Sequence, residues 1–196
     1  TPEEIAFTRG LVIHQDPHVI ALNKPPGLPS QGGSGQTDRH VDGLTEALMF
    51  GYKERPVLVH RLDKDTSGCL VVALKKTMLR EFHKEIRESQ VEKNYLAVVK
   101  GKWPKEITKV EVGLSKDRLK SGEREVQVNS KGKNSISEFE VLSGSSKSPD
   151  IHVITSSVPE ILATKTHMQA QIWKMTMVMT IKKKRRSNPT LIFRIS

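Results

Sequence analysis

The sequence predicts an α+β fold with a central mixed, mostly antiparallel sheet flanked by helices. Three observations carry that expectation. Short β-rich runs dominate the first 142 residues. Only two segments show a helical period. The links between successive strands are short, polar and often glycine-containing, so neighbouring strands can pair as hairpins.

In chain order, Leu11–His14 and Val19–Asn23 read as two strands around the turn-like Gln15-Asp-Pro-His18, in which proline fixes one φ. Lys24-Pro-Pro-Gly-Leu-Pro29 breaks regular structure, and Gln31-Gly-Gly-Ser-Gly35 reads as a flexible loop. Val41–Phe50 is a short helix with Val41, Leu44, Leu48 and Met49 near one face. Val57–Val59 is a short strand leading into His60, and the unbroken apolar run Cys69–Leu74 is a buried central strand. Lys76–Ser89 is the clearest helix, because Leu79, Phe82 and Ile86 recur at i, i+3 and i+7. Tyr95–Val99, Lys109–Leu114, Glu125–Val128 and Ile136–Leu142 follow as strands. After Leu142 the pattern fails: Ser143–Pro149 is linker-like, and the remainder has neither acidic balance nor turn signals. The expected organisation is a domain over residues 1–142 and an atypical basic tail over 143–196.

Composition narrows the function classes. Among 196 residues, 32 Lys and Arg against 22 Asp and Glu give a net charge of +10, which favours a polyanionic partner. The charge is unevenly placed. Residues 161–196 hold eight basic and no acidic side chains, leaving the first 160 residues at 24 against 22, or +2. No apolar run approaches the ~20 residues of a membrane-spanning helix. The single cysteine, Cys69, excludes an internal disulfide and a cysteine-based zinc site. No secretory signal is visible, so a reducing cytoplasm is the expected compartment. A chain opening on Thr1 reads as a fragment.

The densest polar cluster is His60-Arg-Leu-Asp-Lys-Asp-Thr-Ser-Gly68. Asp63, Asp65, Ser67 and Gly68 imitate the start of an EF-hand loop, but its twelfth position must be a bidentate acid and here is Leu74. No Gly-x-Ser-x-Gly elbow is present, and the glycine-rich loop lacks the Gly-Lys-Ser/Thr of a phosphate-binding loop. For the cluster alone, a capped turn with an Arg61–Asp63 surface ion pair is the ordinary reading. Histidines 14 and 18 read as surface residues and define no metal site.

The pattern His-Arg-Leu-Asp-x-x-Thr-Ser-Gly before a hydrophobic strand resembles the signature of the RluA-type pseudouridine synthases. Val19-Ile-Ala-Leu-Asn-Lys-Pro-Pro-Gly27 is similar to that family's Asn-Lys-Pro-x-Gly segment, and Lys93-Asn-Tyr-Leu-Ala-Val-Val-Lys-Gly101 to its Lys-x-Tyr strand. The three motifs stand in the family's order between about Leu11 and Leu142. Gly32–Gly35 and Ser121-Gly-Glu-Arg124 look most like the subgroup that modifies large-subunit ribosomal RNA.

The resemblance implies the synthase fold and an isomerisation of uridine needing no cofactor and no metal. It makes Asp63 the carboxylate that acts on the ribose. Tyr95 becomes the ring stacked on the extruded base, and Arg61 a cation that meets phosphate or fills the vacated space. His60, Lys24 and Thr66 become residues around the substrate, with His60 more a structural hydrogen-bonding group than a proton carrier. Lys53, Arg55, Lys64, Lys93, Lys100 and Lys102 join Lys24 as candidates for phosphate contact. The implied partner is RNA, ribosomal RNA in particular, with no membrane and no obligatory protein partner. Relatives of this subgroup often carry an N-terminal S4-like RNA-binding domain; its absence from these residues fits a fragment beginning at Thr1 or a minimal relative.

The resemblance stops in the tail. The family continues with an arginine-containing segment that pairs with the catalytic aspartate; the nearest piece here is Thr164-Lys-Thr-His167, which offers Lys165 in the arginine's place. Lysine lacks the planar bidentate fork. Two rivals therefore stand beside the enzyme: an inactive RNA-binding relative with an incomplete pocket, and a nucleic-acid module held by the basic tail.

The family's later Asp-x-x-Tyr-Gly segment is also missing in frame. Read from the third base of the Lys174 codon, however, Lys174-Met-Thr-Met-Val-Met-Thr180 can spell Asp-Asp-Tyr-Gly-Asp-Asp. In that reading the second Asp, the Gly and the last Asp are forced. The tail thus has the character of an out-of-frame translation. Sequencing the gene across codons 143–180 is expected to reveal a second frame with a Gly-Arg-x-His-Gln-like segment upstream of Asp-x-x-Tyr-Gly; its absence removes the explanation.

Overall fold

The computed structural model describes residues 1–33, 39–88, 90–100, 104, 106–118, 124–144, 151–156, 171–181 and 191–193. The chain divides into two units, one of Thr1–Glu92 with Thr176–Ser196, the other of Lys93–Met175.

The first unit opens on α1 (Pro2–Gly10), an element that hydrophobic periodicity does not reveal. Its signal lies at the start: Thr1 Oγ1 accepts from the Glu4 amide and the Glu4 side chain returns to Thr1, with Pro2 in the first turn. Arg9 Nε donates to the Ala47 carbonyl at 3.1 Å, tying the helix to the segment 45–48.

The hairpin expected from the sequence is present as β1 (Val12–Gln15) and β2 (Val19–Lys24). Its turn is held by Asp16, whose Oδ1 accepts from the amides of His18 and Val19 at 2.7 and 2.8 Å. Those two bonds hold the Asp16 carboxyl below its ordinary range against the opposing effect of burial. The predicted helix over Val41–Phe50 is shorter and tighter, with α2 (Val41–Leu44) followed by a 3-10 turn over Thr45–Leu48.

β3 (Val57–Leu58) and β2 both pair antiparallel with β4 (Thr66–Ala73). All eight residues of β4 are buried. The strand begins three residues before the apolar run, and its pairing with β2 runs from Ala73 opposite Val19 to Gly68 opposite Lys24. With Ile20, Leu22, Leu70 and Val72 it forms the core of this unit. α3 (Lys76–Arg87) turns its Phe82 inward, as its period predicts. β10 (Gln171–Ile181), of which Thr176–Ile181 belong to this unit, pairs antiparallel with β11 (Leu191–Phe193) through Met179–Ile181.

The second unit is an antiparallel arrangement in the order β5, β9, β8, β6, β7. These strands are β5 (Val91–Lys100), β6 (Lys109–Arg118), β7 (Arg124–Val128), β8 (Lys133–Gly144) and β9 (Ile151–Ser156). β9 lies in the stretch where the sequence pattern fails, yet it pairs with both β5 and β8. Its β-branched run Ile-His-Val-Ile-Thr supports extended structure, but polar flanks hide it from a periodicity reading. Tyr95, Ala97, Leu114 and Phe139 are buried in this unit.

Leu70→Ala removes a fully buried side chain from β4. It is expected to lower unfolding free energy by about 2–5 kcal/mol, read as a reduced urea midpoint.

Candidate active site

The His60–Gly68 cluster lies where the chain leaves β3 and enters β4. The Val59 amide donates to the Val71 carbonyl at 2.9 Å, and the Val71 amide donates to His60 Nε2 at 3.2 Å. His60 thus accepts through Nε2, which places its proton on Nδ1. From here exposure alternates: Arg61 and Asp63 are exposed, while Leu62 between them is buried. The buried leucine anchors the segment and turns its charged neighbours outward.

The turn then closes, with the Thr66 amide donating to the Asp63 carbonyl at 3.1 Å. Gly68 has φ of 114°, a left-handed conformation that disfavours any side chain, and so accounts for glycine at the end of the motif.

Two neighbouring segments hold this turn. Ser30 Oγ donates to the Leu62 carbonyl at 2.6 Å and accepts from the Leu62 amide at 2.9 Å. Lys24 is completely buried, and its Nζ donates to the carbonyls of Leu28, Lys64 and Pro25 at 2.8, 3.0 and 3.1 Å. The same Lys64 carbonyl accepts from the Gly27 amide at 2.8 Å, with Gly27 at φ of 84°. Burial pushes the Lys24 ammonium down to about 8, opposed by the charges of Asp65 and Asp63.

The Asp63 carboxylate makes no hydrogen bond or ion pair among the described residues. The surface ion pair expected between Arg61 and Asp63 is not formed; Arg61 Nη1 instead approaches Gln31 Oε1 at 3.5 Å.

Several residues assigned to the substrate by resemblance serve the protein's own backbone. Lys24 spends its three N–H bonds on carbonyls in a site closed to solvent, so the expected phosphate contact there gives way to a loop-fastening role. His60 accepts a strand amide, and Thr66 is buried as the first residue of β4. Of the other cations, Lys53 and Lys64 are exposed, Arg55 pairs with Asp42 at 3.5 Å, and burial lowers Lys93 from its ordinary value. Tyr95 belongs to the second unit, where it is 5% exposed on β5 and its backbone is in register with Ser156. Lys165, Lys102, residues 34–35 and residues 121–123 lie outside the described residues.

Ser30 and Gln31 enter the site without having been named as site residues from the sequence, whereas Gly27 closes the Asn-Lys-Pro-x-Gly segment. Among the described residues no group of three or more His, Cys, Asp or Glu could hold a metal ion, and no helix is long and apolar enough to cross a membrane.

The arrangement is a solvent-facing carboxylate on a backbone immobilised from behind. The family described as RNA pseudouridylate synthase matches residues 18–192. The chain belongs to that family.

Among curated proteins, it is 41% identical over 143 residues to the ribosomal large subunit pseudouridine synthase C of Escherichia coli K12, covering 71% of this chain and 43% of that protein. The protein of the same name from Haemophilus influenzae is 40% identical over 140 residues, covering 70% and 42%. The chain thus spans well under half the length of these relatives. Among solved structures, human RNA pseudouridylate synthase domain containing 4 superposes with a TM-score of 0.67 at 22% identity, covering 87% of this chain and 70% of that one. Human RNA pseudouridylate synthase domain containing 1 gives 0.65 at 15% identity, covering 94% and 82%. At such identities the structures show a shared fold, the pseudouridine synthase fold expected from the motifs.

A prediction follows for Lys24. Its folded value near 8 lies below the ordinary 10.5, so between those values the unfolded chain binds more protons and stability rises with pH. Below about 8 the full cost of the buried charge is present. Urea unfolding at pH 7.5, 9 and 10.5 is expected to show wild type gaining stability relative to Lys24→Met across that window. The variant should be weaker throughout because three carbonyls lose their donor.

Proposed function

We propose that this chain is an RNA pseudouridine synthase that isomerises uridines of large-subunit ribosomal RNA, with Asp63 as the catalytic carboxylate. The observation that carries the reading is the Asp63 side chain itself: exposed, without a hydrogen-bond or ion-pair partner among the described residues, and fixed from behind through Leu62. Family membership and the curated relatives support the reaction and the RNA class.

The chemistry is atom-balanced. The bond from ribose C1′ to base N1 breaks, the base turns, and C1′ bonds to C5; C5 loses a proton and N1 ends with one. No electrons enter or leave, so the reaction calls for no redox group. An ionised carboxylate can attack C1′ or take a proton from the ribose, and either step loosens the base.

A target uridine must be unstacked before its C1′ can be reached, which assigns work to the remaining residues. Arg61, exposed two residues before Asp63, meets phosphate or occupies the space of the extruded nucleotide. Tyr95 stacks on the base. Lys165 is the sequence's nearest counterpart of the family arginine and is the proposed replacement for it. The proposed catalytic part is residues 1–142, with 143–196 the atypical basic tail, of which β9 nevertheless pairs with β5 and β8. The cytoplasm is the proposed compartment. The one cysteine, Cys69, has its thiol pushed up to about 12 by burial and takes no part.

The test is incubation with unmodified ribosomal RNA and mapping of pseudouridine. Wild type is expected to yield product at discrete sites, and Asp63→Ala to lose activity by about 10²–10⁴-fold or entirely while still binding RNA. RNA binding by wild type without product would favour the inactive relative instead.

A further inference from the structure

We infer that Ser30 is a positioning residue for the Asp63 carboxylate, an inference that rests on the isomerase reading. Three observations lead to it. First, no protein group among the described residues holds the Asp63 side chain, so its position depends on the backbone that carries it.

Second, Ser30 controls that backbone. Its hydroxyl is 4% exposed, and it both donates to the Leu62 carbonyl at 2.6 Å and accepts from the Leu62 amide at 2.9 Å. One side chain therefore grips the two peptide planes on either side of Leu62, and the second of these planes ends at the Asp63 Cα. The buried leucine side chain prevents rotation of the segment about that grip.

Third, Ser30 is itself fixed. The Val41 and Asp42 amides, at the start of α2, donate to the Pro29 and Ser30 carbonyls, both at 2.9 Å. Gln31, the next residue, receives Arg61 Nη1 at 3.5 Å, so the neighbour on the other side of Leu62 touches the same segment. A path of fixed groups thus runs from α2 through Pro29–Ser30 to Leu62 and Asp63.

A hydroxyl suits this place because it can donate and accept at once. Alanine would leave a buried amide and carbonyl unpaired, and the turn would relax toward other partners. A displacement of about 1 Å in a reacting group can cost about 10²-fold in rate.

The experiment compares wild type, Ser30→Ala and Ser30→Thr, which keeps the hydroxyl. Steady-state pseudouridine formation on an unmodified ribosomal RNA transcript is measured together with hydrogen exchange of the Leu62 amide. Ser30→Ala is expected to lower kcat by about 10- to 100-fold with KM within about twofold, and to lose protection at Leu62. Ser30→Thr should restore most of both.

An unchanged kcat in Ser30→Ala overturns the inference. So does a loss of equal size in Ser30→Thr when both variants keep wild-type circular dichroism, or unchanged Leu62 protection in Ser30→Ala. A wild type that forms no product refutes the isomerase reading, and Leu62 exchange then decides the Ser30 grip separately. Should a variant fail to fold, the wild-type amide still decides: rapid exchange at Leu62 overturns the grip, and protection supports it.

Discussion

A single buried ammonium group joins the loops behind Asp63. Lys24 lies at the end of β2, and its three N–H bonds go to two carbonyls of its own loop and to Lys64 in the distant turn. Burying a charge without partners is costly. Three carbonyls at hydrogen-bond distance recover part of that cost, since bonds to a charged donor contribute about 1.5–3 kcal/mol each, while burial still holds the ammonium below its ordinary value. Asp63 and Asp65 lie close enough to favour the charged form further. An arginine could not replace it, because a planar fork cannot converge on three carbonyls arranged around one point. The Gly27 amide shares the Lys64 carbonyl, so the Pro-Pro-Gly segment follows the same constraint.

This arrangement changes what the charge of the protein means. The +10 total suggests a polyanion, but eight of those charges lie in residues 161–196 and the first 160 residues carry only +2. Even within that part several cations are committed. Lys24 serves backbone carbonyls, Arg55 faces Asp42, and Lys93 is buried enough to disfavour its charge. The placement of Asp63 and family membership, rather than net charge, support the proposed RNA substrate.

Much of the fold was legible because its signals are local. The hairpin β1–β2, the buried strand β4 and the helix α3 each follow from a short run of residues, and each appears near its expected bounds. α1 was also legible in principle, since Thr1-Pro-Glu-Glu4 is a capping signature, but its apolar face is too weak to register as periodic. β9 was hidden by its polar surroundings. The motif located the turn around Asp63, yet it could not show what holds that turn. Ser30 to Leu62 and Lys24 to Lys64 are bonds between residues 32 and 40 positions apart, and nothing in either segment alone announces them. Lys24 is the clearest case: a lysine beside prolines suggests a phosphate contact until its three backbone acceptors are seen.

The imidazole of His60 has an architectural consequence. β3 pairs with β4 at Val57 and Leu58, the Val59 amide adds one more rung, and then a side-chain nitrogen takes the place a carbonyl would have filled. The ring is a stopper at the end of a zipper. Had the backbone kept pairing, residue 63 would lie flat along β4, its side chain confined to one face of the sheet. Because the ladder is closed off by a side chain, the main chain is free to peel away without stranding the Val71 amide. The acid is then carried on an exposed turn between β3 and β4. A strand that knows where to stop is as much a part of this site as the carboxylate it releases.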